Sequence, residues 1–418
     1  MGKPNQNWLY LLLLVLSGEA IFILPFVLTR IFRPTVMDAF ELSNVELGLC
    51  FSIYGIVAMI SYLLGGPLAD KYAPRKLIAM ALWLTALGGL VYAQFPQLWV
   101  LQIVYGWWGF TTIFLFWAPM IKATRLWGGA TLQGRAFSFL DGGRGLTGAL
   151  FGLLGVLIFS VMLPGSPEDI GPMVKKKAFA QVIHSTSFLI SIIGVLVWRY
   201  MKHITIEEEK AQEKIKWVEI KQLLRLRSVW LLMVIICCGY VGYKITDVIS
   251  LYAEEVMGQN QVESAKTGTF LQFLRPITGI ALGVFADRFK LTKILIFGFA
   301  VCIIGGLLFA CGLVVANKTI LFFMAVFTVG IGVYACRALY FSILRLGNIP
   351  LALTGTAVGL ISLVGYTPDI FAGPLYGYFL DTYPGIKGHQ IVFMMLSLFS
   401  LTGGLAAYLY DRKYAKLR

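Results

Sequence analysis

Apolar residues run along this chain in long blocks broken by short polar interruptions. The blocks fall at roughly 8–32, 44–66, 75–94, 98–122, 136–163, 178–200, 228–256, 264–285, 292–314, 319–344, 352–380 and 389–410. Each is about as long as a helix needs to be, at 1.5 Å of rise per residue, to cross a hydrocarbon core of about 30 Å. The pattern therefore predicts twelve transmembrane helices. Connections such as Gln94 to Gln97 and Ala316 to Lys318 are short, so consecutive helices are antiparallel neighbours. The first block, from Trp8 to about Leu28, holds Glu19 and no small-residue cleavage site, and reads as a membrane helix rather than a signal peptide. One long polar stretch, 201–226, carries Glu207, Glu208, Glu209 and spaced lysines; it has the composition of a solvated connector, partly helical along the membrane surface.

Composition agrees with an all-α polytopic membrane protein. Hydrophobic residues make up 58% and charged residues 13% of the 418 positions, against about 45–50% and about 25% in soluble domains. The net charge of +14 raises nucleic acid as a partner, but the basic residues follow topology instead. With the N-terminus inside, inner loops and tails hold 23 Lys and Arg, outer loops hold 8, and Arg144, Lys244, Arg275 and Arg337 lie within helices. That bias places both termini in the cytoplasm of a cytoplasmic (inner) membrane and excludes nucleic acid. All six cysteines lie in apolar segments, where they read as small buried hydrophobes; no disulfide framework and no metal site is implied.

A hexamer repeats. Gly66-Pro67-Leu68-Ala69-Asp70-Lys71 follows the second helix, and Gly283-Val284-Phe285-Ala286-Asp287-Arg288 follows the eighth, half a chain later. The chain thus divides into a bundle over 1–200, the connector 201–226 and a bundle over 227–418. On these residues the sequence resembles the major facilitator superfamily, whose signature is Gly-x-Leu-Ala-Asp-Arg/Lys followed by Gly-Arg-Arg/Lys. The first copy continues Tyr72-Ala73-Pro74-Arg75-Lys76, keeping the basic pair but with Ala73 and Pro74 around the usual glycine; the second, ending Phe289-Lys290-Leu291-Thr292-Lys293, is more degenerate. The resemblance covers essentially the whole chain. It implies two pseudo-symmetric six-helix bundles that rock about a central site, and gives Gly66, Asp70 and Arg75, with Gly283, Asp287 and Arg288, the part of a latch between conformations. The plain alternative is that the two aspartates only begin a turn.

The chemistry rests on ionisable residues inside apolar helices. An arginine keeps its charge, and at the bilayer centre it costs about 2.5–3.5 kcal/mol on insertion scales, so Arg275, about 16 Å into helix eight, must face a wet cavity or a partner such as Asp247. Its planar fork suits carboxylate, phosphate or nitrate. Arg144 is its counterweight in helix five, three residues from Asp141 and either a ligand or that acid's partner. Its surroundings, Gly143-Arg144-Gly145-Leu146-Thr147-Gly148, match the dinucleotide fingerprint formally, but no strand precedes them, and glycines at this spacing let membrane helices approach closely. Helix seven offers Tyr240, Tyr243, Lys244 and Asp247 as a gate or ion pair, with Lys244 high enough to snorkel, and helix ten offers Arg337 near the inner surface. Glu19 in mid-helix and Asp369 after the proline-interrupted Gly365-Tyr366-Thr367-Pro368 are candidate proton carriers, with Asp247 and Asp141 behind them. The alternative for Glu19 is a permanent basic partner, and for Asp369 a local helix cap.

No nucleotide-phosphate loop and no zinc-protease motif is present, so neither an ATP-driven pump nor an enzyme is expected, and no cofactor is called for. The expectation is a monomeric secondary active transporter of a small anionic or zwitterionic solute, coupled to protons, by symport or antiport. The alternative is a proton-driven exporter of amphipathic compounds, walled by Trp107, Trp108, Phe114, Phe116 and Trp117 and driven through Glu19. A transport-dead sensor that keeps the fold is a third reading.

Overall fold

The computed structural model describes residues 8–128, 133–163, 171–201, 217–286, 288–349 and 353–414. Among the described residues there are twelve long helices: α1 (Trp8–Ile31), α2 (Asn44–Lys71), α3 (Pro74–Tyr92), α4 (Leu98–Gly128), α5 (Gln133–Val161), α6 (Pro172–Tyr200), α7 (Arg227–Glu255), α8 (Gln261–Ala286), α9 (Leu291–Ala310), α10 (Thr319–Leu339), α11 (Thr356–Thr382) and α12 (Ile386–Tyr414). Eleven are long and apolar enough to cross a membrane; α8, which carries Glu263, Lys266 and Arg275, is the twelfth.

Local sequence explains where the helices start and bend. Ser43 opens α2 with a capping box: its hydroxyl accepts from the Glu46 N–H at 3.2 Å, and the Glu46 carboxylate accepts from the Ser43 N–H at 2.8 Å. Pro74 is the first residue of α3, where a missing N–H costs nothing, so the departure from the family's glycine doubles as a start signal. Pro172 does the same for α6, which begins six residues before the expected 178 and takes Lys175, Lys176 and Lys177 out of the loop and into its first turns. Pro25 sits in a widened turn of α1, Ile23–Val27, the usual response to an N–H missing inside a helix. An unexpected short helix, Arg33–Phe40, follows α1.

Two further boundaries move. The first signature hexamer forms the last turns of α2 instead of following it, with Lys71 near the negative end of the helix dipole. Arg288 is exposed just after α8; Gly66 lies in the last two turns of α2 and Gly283 near the end of α8, while Asp287 and the Asp70 side chain lie outside the described residues. Helix α10 stops at Leu339, five residues early, and α11 breaks at Tyr366 and Thr367 before restarting at Pro368. The connector is helical over Trp217–Leu224, and 202–216 lie outside the described residues. Among the cysteines, Cys311 is exposed and Cys237 half-buried; the helix ends just before Cys311, which leaves its side chain outside the packing.

By contacts the chain forms two compact units, one of Met1–Glu209 with Gln259–Phe273 and one of Lys210–Gly258 with Leu274–Arg418. The core of the first gathers Trp108, Tyr105, Tyr92 and Phe51, all essentially inaccessible to solvent. Two of them have their polar atoms served internally: Trp108 donates to the Thr85 carbonyl at 3.1 Å, and the Tyr105 and Thr29 hydroxyls meet at 3.1 Å. The first turns of α8 join this unit through Gln261, which accepts from the Thr35 hydroxyl at 3.2 Å and donates to Asp38 at 2.5 Å. In the second unit α9 packs on α12 and α10 through small residues. A Cβ on Gly306 would strike the Ser397 hydroxyl and stand 3.0 Å from the Phe393 carbonyl oxygen, and one on Gly305 would stand 3.0 Å from the Val329 nitrogen.

Gly306→Val should therefore lower the melting temperature of the purified protein by the equivalent of about 1–3 kcal/mol of overpacking. Gly279→Ala, where an added Cβ meets nothing within 4 Å, should leave it unchanged or raise it slightly. Equal effects of the two changes would contradict this account of the packing.

Candidate functional site

Tyr240, Tyr243, Lys244 and Asp247 fall at helical spacings of three, four and seven residues, so α7 presents them as one stripe. The helix tightens to a short 3₁₀ turn at Thr246–Val248, beside Asp247. Opposite the stripe, the break in α11 leaves Asp369 in the first turn of its restarted half. The Lys244 ammonium lies 3.1 Å from the Asp247 carboxylate and 3.5 Å from that of Asp369; Lys244 and Asp247 are buried and the Asp369 side chain is 13% exposed. Lys244 does not snorkel: two acids within reach of one ammonium hold it in the interior. The Tyr240 hydroxyl faces both carboxylate oxygens of Asp369, at 3.1 and 3.0 Å, and donates its single hydrogen there.

Helix α10 closes the cluster. The Arg337 guanidinium lies 3.7 Å from the centre of the Tyr243 ring and 5.8 Å from that of Tyr240. One terminal nitrogen, Nη1, is buried without a hydrogen-bond partner. A guanidinium held by its flat face keeps its in-plane N–H edge for an acceptor. The rings are themselves locked: Tyr240 and Tyr243 stack at 5.6 Å, Tyr366 meets Tyr240 edge-on at 4.8 Å, and Tyr334 meets Tyr243 at 6.5 Å.

The first unit has its own charge pair. Arg144 on α5 donates through Nε to Glu19 on α1 at 3.2 Å, and its guanidinium stands over Phe22 at 5.4 Å and Trp117 at 5.8 Å. The glycines around it serve this contact. A Cβ on Gly148 would come 3.1 Å from the Glu19 carboxylate and one on Gly18 would come 3.1 Å from Arg144 Cδ, so the run that mimics a dinucleotide loop clears room for an ion pair. Asp141 is exposed, one turn before Arg144. Arg275 is buried on α8 beside Pro276, within the second unit. Arg75, in the first turn of α3, has a buried Nε without a hydrogen-bond partner.

The residues of the expected aromatic wall differ in burial, Phe114 and Trp117 being half-buried. Trp108 and Phe116 are wholly buried in the core of the first unit, and Trp107 is exposed while donating to the Leu84 carbonyl at 2.8 Å. Sequence reading missed Tyr334 and Tyr366, although each stands three residues before a residue it did select, Arg337 and Asp369. It also gave His389 no role; its imidazole meets Glu255 at 2.9 Å, tying the start of α12 to the end of α7.

A family model described as Major Facilitator Superfamily matches residues 11–373. The chain belongs to the Major Facilitator Superfamily. It is an integral membrane transporter of small molecules and not an enzyme, and the two hexamers are its signature in degenerate form. It is 26% identical over 401 residues to the inner membrane protein YqcE of Escherichia coli K12, covering 93% of this chain and 91% of that one. Its fold matches a bacterial homologue of the human lysosomal transporter Spinster, in its inward-facing occupied form, with a TM-score of 0.73 at 14% identity, over 100% of this chain and 99% of the other. The nucleoside transporter NupG matches with a TM-score of 0.69 at 15% identity, over 97% and 99% of the two chains. At these identities the structural likeness concerns the fold.

Removing one partner of a buried ion cluster costs far more than removing all of them, because the remaining charges stay desolvated. Lys244→Ala should destabilise the protein by about 3–5 kcal/mol, read as a fall in melting temperature, and Lys244→Met combined with Asp247→Asn and Asp369→Asn should recover most of that loss. A triple variant no more stable than the single one would show that the cluster is not held by charge compensation.

Proposed function

We propose that this superfamily member carries a small anionic or zwitterionic organic solute across the membrane by alternating access, coupled to protons, with both termini in the cytoplasm. The observation that carries the reading is Arg337, laid over Tyr243 with its buried Nη1 without a hydrogen-bond partner among the described residues. An oxyanion is the complement of that N–H group. Lys244, Tyr240 and Tyr243 complete the substrate contact in the second unit, and Arg144 and Arg275 supply further positive charge.

Charge balance supports the proton coupling. With both carboxyls ionised, Asp247 and Asp369 offset Lys244 and Arg337, and the cluster has no call for an anion. One proton taken up by Asp369 leaves a net positive charge, and an anion then restores neutrality in a medium that penalises uncompensated charge. Glu19, engaged by Arg144, is the second proton site, with Asp141 and Asp247 as electrostatic partners. The latch is assigned to Gly66, Asp70, Arg75, Gly283, Asp287 and Arg288. The exporter of amphipathic compounds is less well supported, because Trp108 and Phe116 are committed to core packing.

The test is a thermal-shift screen of the purified protein across carboxylates, phosphates, neutral sugars, nucleosides and lipophilic cations, since a bound ligand stabilises the folded form. Anions should raise the melting temperature, and Arg337→Lys, which keeps the charge but not the stacked fork, should abolish most of the shift. Stabilisation by nucleosides, sugars or lipophilic cations alone would overturn the anion reading. In proteoliposomes an imposed pH gradient should change uptake of the stabilising anion, and Asp369→Asn should remove that dependence; uptake indifferent to pH in the unaltered protein would overturn the coupling.

A further inference from the structure

The Tyr240 hydroxyl has one hydrogen and two claimants. With Asp369 ionised, that hydrogen is held by the carboxylate, whose oxygens stand 3.1 and 3.0 Å away. The Arg337 guanidinium carbon lies 5.8 Å from the centre of the same ring, so the phenol has a carboxylate at its hydroxyl and a guanidinium over its ring. Tyr240 itself is buried and fixed by stacking on Tyr243 and by the edge of Tyr366, so its hydroxyl reorients by rotation of the O–H bond alone.

We propose that Tyr240 is a proton-gated ligand: its O–H is captured by Asp369 in the ionised state and released to an anion on Arg337 when Asp369 takes up a proton. The neutral carboxyl brings an O–H of its own, which it donates to the Tyr240 oxygen, and the phenol hydrogen turns towards the anion. The proton taken from solution stays on Asp369, and the chain Asp369–Tyr240–anion is a run of hydrogen bonds in which each donor strengthens the next. Lys244 keeps Asp247, 3.1 Å away, as its partner while Asp369 is neutral.

The groups that act on Asp369 are Tyr240, Lys244 and Asp247 from α7. Arg337 of α10 and Tyr366 of α11 act on Tyr240 in turn. Helix α12, which also packs on α11, has no ionisable residue between Gln390 and Ala407. The carboxyl and the guanidinium are therefore linked through one residue with a single hydrogen to give. This rests on the proton-coupled anion reading above and adds the atom that does the coupling.

The test uses the full chain in lipid nanodiscs, with acetate, nitrate and inorganic phosphate as probe anions and calorimetric titration from about pH 5 to about pH 8. The unaltered protein should bind at least one probe about tenfold more tightly at the acid end, the effect of one hydrogen bond to a charged group. Tyr240→Phe, which keeps the ring and the charge change at Asp369, should cut that gain to the part owed to charge alone. Asp369→Asn, a permanently neutral donor, should give the acid-end affinity at every pH, and adding Tyr240→Phe to it should lower that affinity by the same factor. An acid gain undiminished in Tyr240→Phe, or a double variant that binds as tightly as Asp369→Asn, would overturn the role of Tyr240 while leaving anion binding in place. Should Tyr240→Phe fail to fold, Tyr240→Leu makes the same comparison. If the unaltered protein binds none of the probes, or binds them without pH dependence, the function proposed above falls together with this inference.

Discussion

A charge inside a membrane has no water to fall back on, and most of what is distinctive about this protein follows from that constraint. Four cations and their acids lie deep in helices that are otherwise apolar. The polar contacts they make are close and mostly between different helices: Arg144 to Glu19, Lys244 to Asp369, Arg337 to the tyrosines of α7. Each contact fixes two helices at one register, so the ionisable residues organise packing as well as chemistry. Such clusters rarely add net stability over apolar replacements of the same shape.

The two units meet the constraint in different ways. In the first, the pair is simple: one carboxylate, one guanidinium, aromatic faces on either side, and glycines at 18 and 148 that let the side chains meet. In the second, one ammonium lies between two carboxylates, a phenol shares its hydrogen with one of them, and a guanidinium rests on the next ring. The second is neutral only while both acids are ionised, so its charge responds to a proton.

Backbone irregularity appears where chemistry needs it. The break at Tyr366 and Thr367 sets Asp369 at the head of a new helix segment, and the 3₁₀ turn at Thr246–Val248 falls where Asp247 meets Lys244. In a membrane such breaks are tolerated only where protein or a wet cavity satisfies the freed groups. Rigidity is supplied elsewhere, by small residues between α9, α10 and α12 and by the buried tyrosine and tryptophan core of the first unit.

The sequence by itself determined the class of the molecule. Hydrophobic blocks of membrane length gave the twelve helices, because no other secondary structure satisfies an isolated stretch of backbone in lipid, and the repeated hexamer gave the family, later matched over residues 11–373. It also selected Tyr240, Tyr243, Lys244 and Asp247 as one face, since helical spacing is written in the numbering. Only the tertiary structure decided which charge meets which. Helical spacing set Asp141 within a turn of Arg144 and Lys244 within a turn of Asp247, while the contacts of Arg144 with Glu19, from a helix four earlier in the chain, and of Lys244 with Asp369 join different helices. Spacing along one helix orders its neighbours within a turn. Partners on other helices are chosen by packing, through the clearance left by a glycine or the flat face of a tyrosine, and no linear pattern records them.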